Sequence, residues 1–158
     1  MMTYPLRTLS LLLLTACVAA MATGLIAQYG FGLRPCILCL TQRVPFVLAG
    51  CLAALSLWRP RWMLPLLCLA ALALLINGGI AIYHVGVEHH WWASSCSGGG
   101  PTGLVMDLAA EMSKPVEARC DEPAWMWHGI TMAAMNIPFS GGLGLLAAFW
   151  LWKSRKDV

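Results

Sequence analysis

Charge is distributed along this chain in a way that leaves one class of fold open. Only 17 of the 158 residues are Lys, Arg, Asp or Glu. Four uncharged stretches, 8–33, 44–58, 62–87 and 123–152, take up 97 residues. A soluble domain is about 25% charged because its helices turn polar faces to water; here the share is 11%. The +3 balance gathers into no basic stripe, which excludes nucleic-acid binding, and the 59% apolar content excludes disorder. The expected fold is all-α, a membrane four-helix bundle forming one integral domain over 1–158.

The spans are expected at about 9–27, 39–58, 62–83 and 129–152, with outer loops at about 28–38 and 84–128. At 1.5 Å per residue, roughly 20 residues cross a hydrocarbon core of about 30 Å. A fifth uncharged stretch, 89–106, is polar and glycine-rich and is read as loop. Pro65 falls in the first turn of the third span, where a missing N–H costs least. Pro138 predicts a kink in the fourth. The stretch 44–58 is too short to span alone. It reaches spanning length only if its helix starts near Leu38, taking Cys39, Thr41, Gln42 and Arg43 into the first turns.

Four spans put both termini on one side. Arg7, Arg59, Arg61, Lys153, Arg155 and Lys156 lie there, against Arg34, Arg43, Lys114 and Arg119 in the longer loops opposite. The positive-inside rule makes the first side cytoplasmic. A competing reading takes Leu14-Thr15-Ala16-Cys17 as a lipoprotein cleavage box. The apolar run continues to Ala27 instead of turning polar after the cysteine, which argues for a span.

The seven cysteines divide by this topology. Cys17, Cys51 and Cys68 fall in spans, as small apolar packing residues. Cys36, Cys39, Cys96 and Cys120 fall in the outer loops, an even set in an oxidising compartment where cysteines pair. Cys36-Ile37-Leu38-Cys39 is a C-x-x-C: an exchange pair, half a zinc site or a structural bridge. Zinc would draw further ligands from His84, His89, His90, Cys96 or Cys120, yet no second tight ligand pair exists, and no metal is expected. A bridge closing so short a loop constrains the unfolded chain little. Redox chemistry is the better use of the spacing.

Cys39, in the first turn of the second span, stands at the positive end of the helix dipole, with Arg43 one turn further on the same face. Both favour a thiolate over a thiol. An arginine just inside the apolar boundary is also placed to bind an electronegative ligand, against the blander alternative of snorkelling to headgroups. Cys96 is followed by Gly98-Gly99-Gly100-Pro101, a local composition suited to exchange with another protein. Between Cys96 and Cys120, residues 102–113 carry Leu104, Val105, Leu108, Ala109 and Met112 at helical spacing. This segment is expected to form a short interfacial helix or a cap on the bundle.

The run Pro35-Cys36-Ile37-Leu38-Cys39-Leu40-Thr41-Gln42-Arg43, the four spans and the second outer cysteine pair together resemble the disulfide bond formation protein B (DsbB) family. These are bacterial inner-membrane quinone reductases that reoxidise a periplasmic thiol oxidase. The resemblance implies that a reduced DsbA-like partner attacks a Cys96–Cys120 disulfide at Cys96. Cys120 then opens a Cys36–Cys39 disulfide, and Cys39 forms a charge-transfer or transient covalent adduct with ubiquinone or menaquinone. Arg43 is implied to stabilise the developing charge, and His84, ending the third span, to be a further quinone contact. The compact second outer loop and its triple glycine depart from the best-known members and bear on partner specificity.

His89, His90, Trp91 and Trp92 read as membrane-interface residues, and His128 and Asn136 as helix-packing groups. Two other classes carry different signatures. A vitamin K epoxide reductase-like enzyme would carry its C-x-x-C near the last span. A non-enzymatic tetraspan would predict an acid within a span as a coupling site, and none falls within the expected bounds.

Overall fold

A computed structural model of the chain describes residues 3–92 and 118–156. Cys96 and the segment 102–113 lie outside the described residues. The chain forms the all-α four-helix bundle that the charge gaps predict. Helix α1 covers Thr3–Leu25 and widens into a π-helical turn at Ile26–Gly30; α2 is Ile37–Trp58 and α3 is Met63–Glu88. A two-residue hairpin follows, β1 Met126–Trp127 against β2 Ile130–Thr131. Helix α4, Met132–Lys156, is interrupted by a second π-helical turn at Ile137–Gly141, which contains Pro138.

All four helices are long and apolar enough to cross a bilayer, and their exposed side chains suit nothing else. Leu11, Val18, Val44, Leu48, Leu69, Leu72, Leu145 and Phe149 point outward, an apolar surface that water would not tolerate. The inward face is built of small residues and leucine: Leu9, Leu13 and Cys17 on α1, Ala49 and Ala53 on α2, Leu67, Ala70 and Leu74 on α3, Ala147 and Leu151 on α4. Small side chains let membrane helices approach closely, where dispersion contacts must replace the hydrophobic effect. At Gly78 an added Cβ would meet Gly141 Cα at 3.0 Å, so α3 and α4 touch there backbone to backbone.

Polar contacts fix which ends lie together. At one end Ser10 on α1 hydrogen-bonds Ser56 on α2 at 2.8 Å, and Arg155 on α4 reaches Cys68 on α3. At the other end Gln42 joins α2 to His84 of α3 and Asn136 of α4. The helices therefore alternate in direction, with the C-x-x-C end opposite the Arg59–Arg61 turn. Exposed tryptophans mark both ends: Trp58, Trp62 and Trp152 at one, Trp91, Trp92, Trp125 and Trp127 at the other. That is the distribution of interfacial aromatic belts.

Two features differ from the sequence expectation. Helix α3 runs past the anticipated end at Tyr83 to Glu88, so His84 and Glu88 lie within helix, one turn apart on one face. His128 is not a helix-packing group. With φ 48° it forms a hairpin turn with Gly129 at φ 84°, the pair of left-handed residues that a tight two-residue β-turn demands.

Candidate functional site

The C-x-x-C spacing is also a helix-capping spacing. Cys36, extended at φ −74° and ψ 169°, is the N-cap of α2, and its sulfur accepts the backbone N–H of Cys39 at 3.3 Å. Helix starts leave N–H groups unpaired, and an N-cap acceptor usually supplied by Ser, Thr, Asp or Asn takes one of them. Here a sulfur fills that position, which sets Cys39 in the first turn with its own sulfur 3.0 Å from that of Cys36. The Cys36 thiol donates to the Cys39 sulfur. That bond, reinforced by burial, pushes the Cys36 thiol up to about 12.

The other outer cysteine that the structure describes arrives at the same point. Cys120 is buried and packs in one cluster with Cys36, Val87 and Cys39. Beside it, Arg119 donates to both carboxylate oxygens of Asp121, at 3.1 and 2.7 Å. The guanidinium holds the Asp121 carboxyl below the usual carboxylate range.

His84 enters from α3 and is 3% exposed. Its Nε2 lies 3.5 Å from Cys36 Sγ and its Nδ1 is 3.2 Å from Gln42 Nε2. Gln42 Oε1 in turn accepts from Asn136 Nδ2 at 2.9 Å. The donor atoms of Cys36, Cys39 and His84 all fall within 4.8 Å of one another. Among the described residues these three are the donors gathered at metal-binding spacing, and a closed structural zinc shell takes four.

Below the cysteines, between α1, α2 and α4, lies a cavity of about 920 Å³. Cys39, Gln42, Arg43, His84 and Asn136 are among its polar groups, with Thr23, Gln28 and Arg34 also on the lining, and Ala20, Ile26, Phe46, Met132 and Phe139 are among its apolar walls. Arg43 is held in place by donating from Nη1 to Gln28 Oε1 at 2.7 Å and from Nη2 to the Gly24 carbonyl at 3.3 Å. An apolar pocket with a few convergent polar groups is the usual form of a small-molecule site.

The structure thus gathers Cys36, Cys39, Arg43, His84 and Cys120, while Cys96 is outside the described residues. Sequence reasoning missed Gln42, Asn136 and Glu88. Asn136, which the sequence suggests is a packing group, lines the cavity and completes the amide chain to His84. Gln42 belongs to the same run as the C-x-x-C and lies six positions, just under two helical turns, after Cys36.

Comparison with known proteins identifies the family. The family described as disulfide bond formation protein DsbB matches residues 6–150. A disulfide bond formation protein B of Psychrobacter sp. (strain PRwf-1) is 29% identical over 159 residues, covering 93% of this chain and 92% of that protein. Another, from Verminephrobacter eiseniae (strain EF01-2), is 30% identical over 148 residues, 90% of this chain and 83% of the relative. An uncharacterized protein of Rickettsia prowazekii (strain Madrid E) is 29% identical over 137 residues, 83% of this chain and 79% of its own length. No solved structure matches the chain. With four membrane-spanning helices and a match over nearly its whole length, this chain belongs to the DsbB family of membrane proteins of disulfide bond formation.

Proposed function

We propose that the chain is a protein dithiol:quinone oxidoreductase of the bacterial inner membrane. It reoxidises a periplasmic DsbA-like thiol oxidase and passes the electrons to ubiquinone or menaquinone. Both termini are cytoplasmic and the cysteines periplasmic, in keeping with the lysine and arginine count. The observation that carries this reading is that Cys39 and Arg43 share one cavity at the end of a membrane bundle, while Cys120 packs against Cys36.

A quinone is a flat apolar ring with two carbonyl acceptors. The cavity meets it with aromatic side chains at Phe46 and Phe139 and with donors at Gln42, Arg43, His84 and Asn136. When bound, a quinone supplies a two-electron, two-proton acceptor. The chain's own groups do the rest by thiol–disulfide exchange. A partner thiolate attacks Cys96, breaking a Cys96–Cys120 bond. Cys120 attacks Cys36, and Cys39 leaves. Once the oxidised partner departs, Cys96 re-forms its bond with Cys120 and returns Cys36 as a thiol. Closing Cys36–Cys39 then sends two electrons out through Cys39, beside the Arg43 charge. The sum is partner dithiol plus quinone to partner disulfide plus quinol.

Purified protein, a reduced thioredoxin-fold oxidase and a soluble quinone test the reading by quinone absorbance. Quinone is expected to be consumed only when the partner is reduced, and Cys39→Ser to abolish the reaction. Failure of the wild type to consume quinone, or full activity in Cys39→Ser, would overturn it.

A further inference from the structure

Glu88 is an acid where local rules disfavour one. It is the last residue of α3, at the negative end of the helix dipole, and its side chain is 7% exposed. A buried carboxylate requires partners, and Glu88 has two. Thr131 Oγ1 donates to its Oε2 at 2.6 Å, and its Oε1 lies 3.8 Å from His84 Nε2. That same nitrogen is the one 3.5 Å from Cys36 Sγ. The sulfur, the imidazole and the carboxylate thus converge on one atom.

The Gln42 amide determines what that atom can do. An amide can present either its NH2 or its carbonyl to a histidine. In the structure Gln42 presents its NH2 to Nδ1; with the amide turned so that its carbonyl faces Nδ1, the ring proton sits there and the Nε2 lone pair faces Cys36 and Glu88. The Asn136 amide can turn with it and keep the chain of hydrogen bonds intact.

We propose that Glu88 is a positioning residue for proton transfer. Its carboxylate holds the imidazolium that forms when His84 takes the Cys36 proton as the Cys36–Cys39 bond closes. The proposal rests on the thiol:quinone reading above. In the step, a Cys36–Cys39 bond forms and two electrons leave the sulfur pair for the acceptor. The Cys36 proton passes to His84 Nε2, and His84, which also lines the cavity, yields it to the reduced acceptor. Cys39 reacts as the thiolate, its own proton having already passed to water, and the second proton that the acceptor requires is drawn from water. Cys36 needs such a base because its hydrogen bond to Cys39 and its burial hold the proton tightly. Among the described residues, the other titratable groups near the pair are Cys36 and Cys39 at the start of α2 and Cys120 before the hairpin. Thr131 fixes Glu88 without adding charge. His90, 3.8 Å from Asp121, and Arg119 form a separate surface group.

The test isolates ring closure from quinone. Reduced full-length protein is treated with dithiobis(nitrobenzoate), which caps Cys39; attack by Cys36 then closes the disulfide and releases the capping thiol. Rapid quenching and mass mapping of the peptide carrying both cysteines follow that second step from pH 6 to pH 9. Glu88→Gln is expected to slow it about tenfold near neutral pH, equivalent to one pH unit in the profile. Glu88→Asp should recover part of the rate. In quinone turnover, Glu88→Gln should lower kcat and leave KM for quinone unchanged. A wild-type closure profile in Glu88→Gln, while the wild type still reduces quinone, overturns the proposal. A wild type that reduces no quinone overturns the underlying reading instead. If Glu88→Gln fails to fold, Thr131→Val loosens the same carboxylate; a slowed closure supports the proposal, and an unchanged one overturns it.

Discussion

Arg43 donates to Gln28 Oε1 at 2.7 Å, tying the start of α2 to the wide turn that ends α1. The bond holds a cation at the cavity wall in one orientation and leaves the rest of the guanidinium fork available. Charge-assisted hydrogen bonds contribute about 1.5–3 kcal/mol. The compact ammonium of lysine cannot reproduce the planar guanidinium fork, whose nitrogens reach Gln28 and the Gly24 carbonyl at once. Arg43→Lys is therefore expected to raise KM for quinone at least about tenfold, with thiol exchange at the Cys96–Cys120 pair unchanged. Steady-state kinetics varying quinone and partner separately would show this; an equal rise in both KM values would contradict it.

Adjacent glycines on α3 should behave oppositely. A Cβ at Gly78 would meet Gly141 Cα at 3.0 Å and its nitrogen at 3.2 Å, whereas one at Gly79 meets nothing within 4 Å. Overpacking a tight helix contact costs about 1–3 kcal/mol. Gly78→Ala should lower the thermal midpoint in detergent, and Gly79→Ala should leave it unchanged or raise it.

Asn77 is fully buried on α3, and neither its amide oxygen nor its nitrogen has a hydrogen-bond partner among the described residues. Replacing an unpaired buried polar group by an apolar one of similar shape is neutral or stabilising, by up to about 1–3 kcal/mol. Asn77→Leu should match or exceed wild-type stability in a chemical or thermal melt. A large loss would mean that the amide is paired in the membrane.

The dithiol form should also be sensitive to alkali. Folding raises the Cys36 thiol from 9.0 to about 12, so the folded chain holds a proton that the unfolded chain releases. The stabilisation is complete below pH 9 and is lost as pH rises toward 12. Melting of the reduced protein at pH 8 and pH 10 should show a decline that is smaller in Cys36→Ser.

Hydropathy and charge made the four spans legible, and helix length alone drew Arg43 inside α2. Glu88 escaped because a charge ends an uncharged stretch without marking where a helix ends; α3 runs five residues past Tyr83 to finish on it, with Thr131 and His84 as partners. Asn136 escaped because a lone amide in a span looks the same whether it packs or lines a cavity, and only the register of α4 against Gln42 separates the two. The His128-Gly129 pair was a turn signal hidden within an uncharged run.

The cavity is bounded on two sides by the π-helical turns at Ile26–Gly30 and Ile137–Gly141. Each such turn carries one residue more than an α-helical turn, which widens the helix and rotates everything beyond it. The room below the cysteines is therefore a matter of chain length as much as of side-chain size. Deleting a single residue from either turn would narrow the chamber and re-aim Gln28 or Phe139 together with everything beyond the turn. Ligand size in this architecture can be adjusted by insertion and deletion, a route that substitution at the lining positions does not offer.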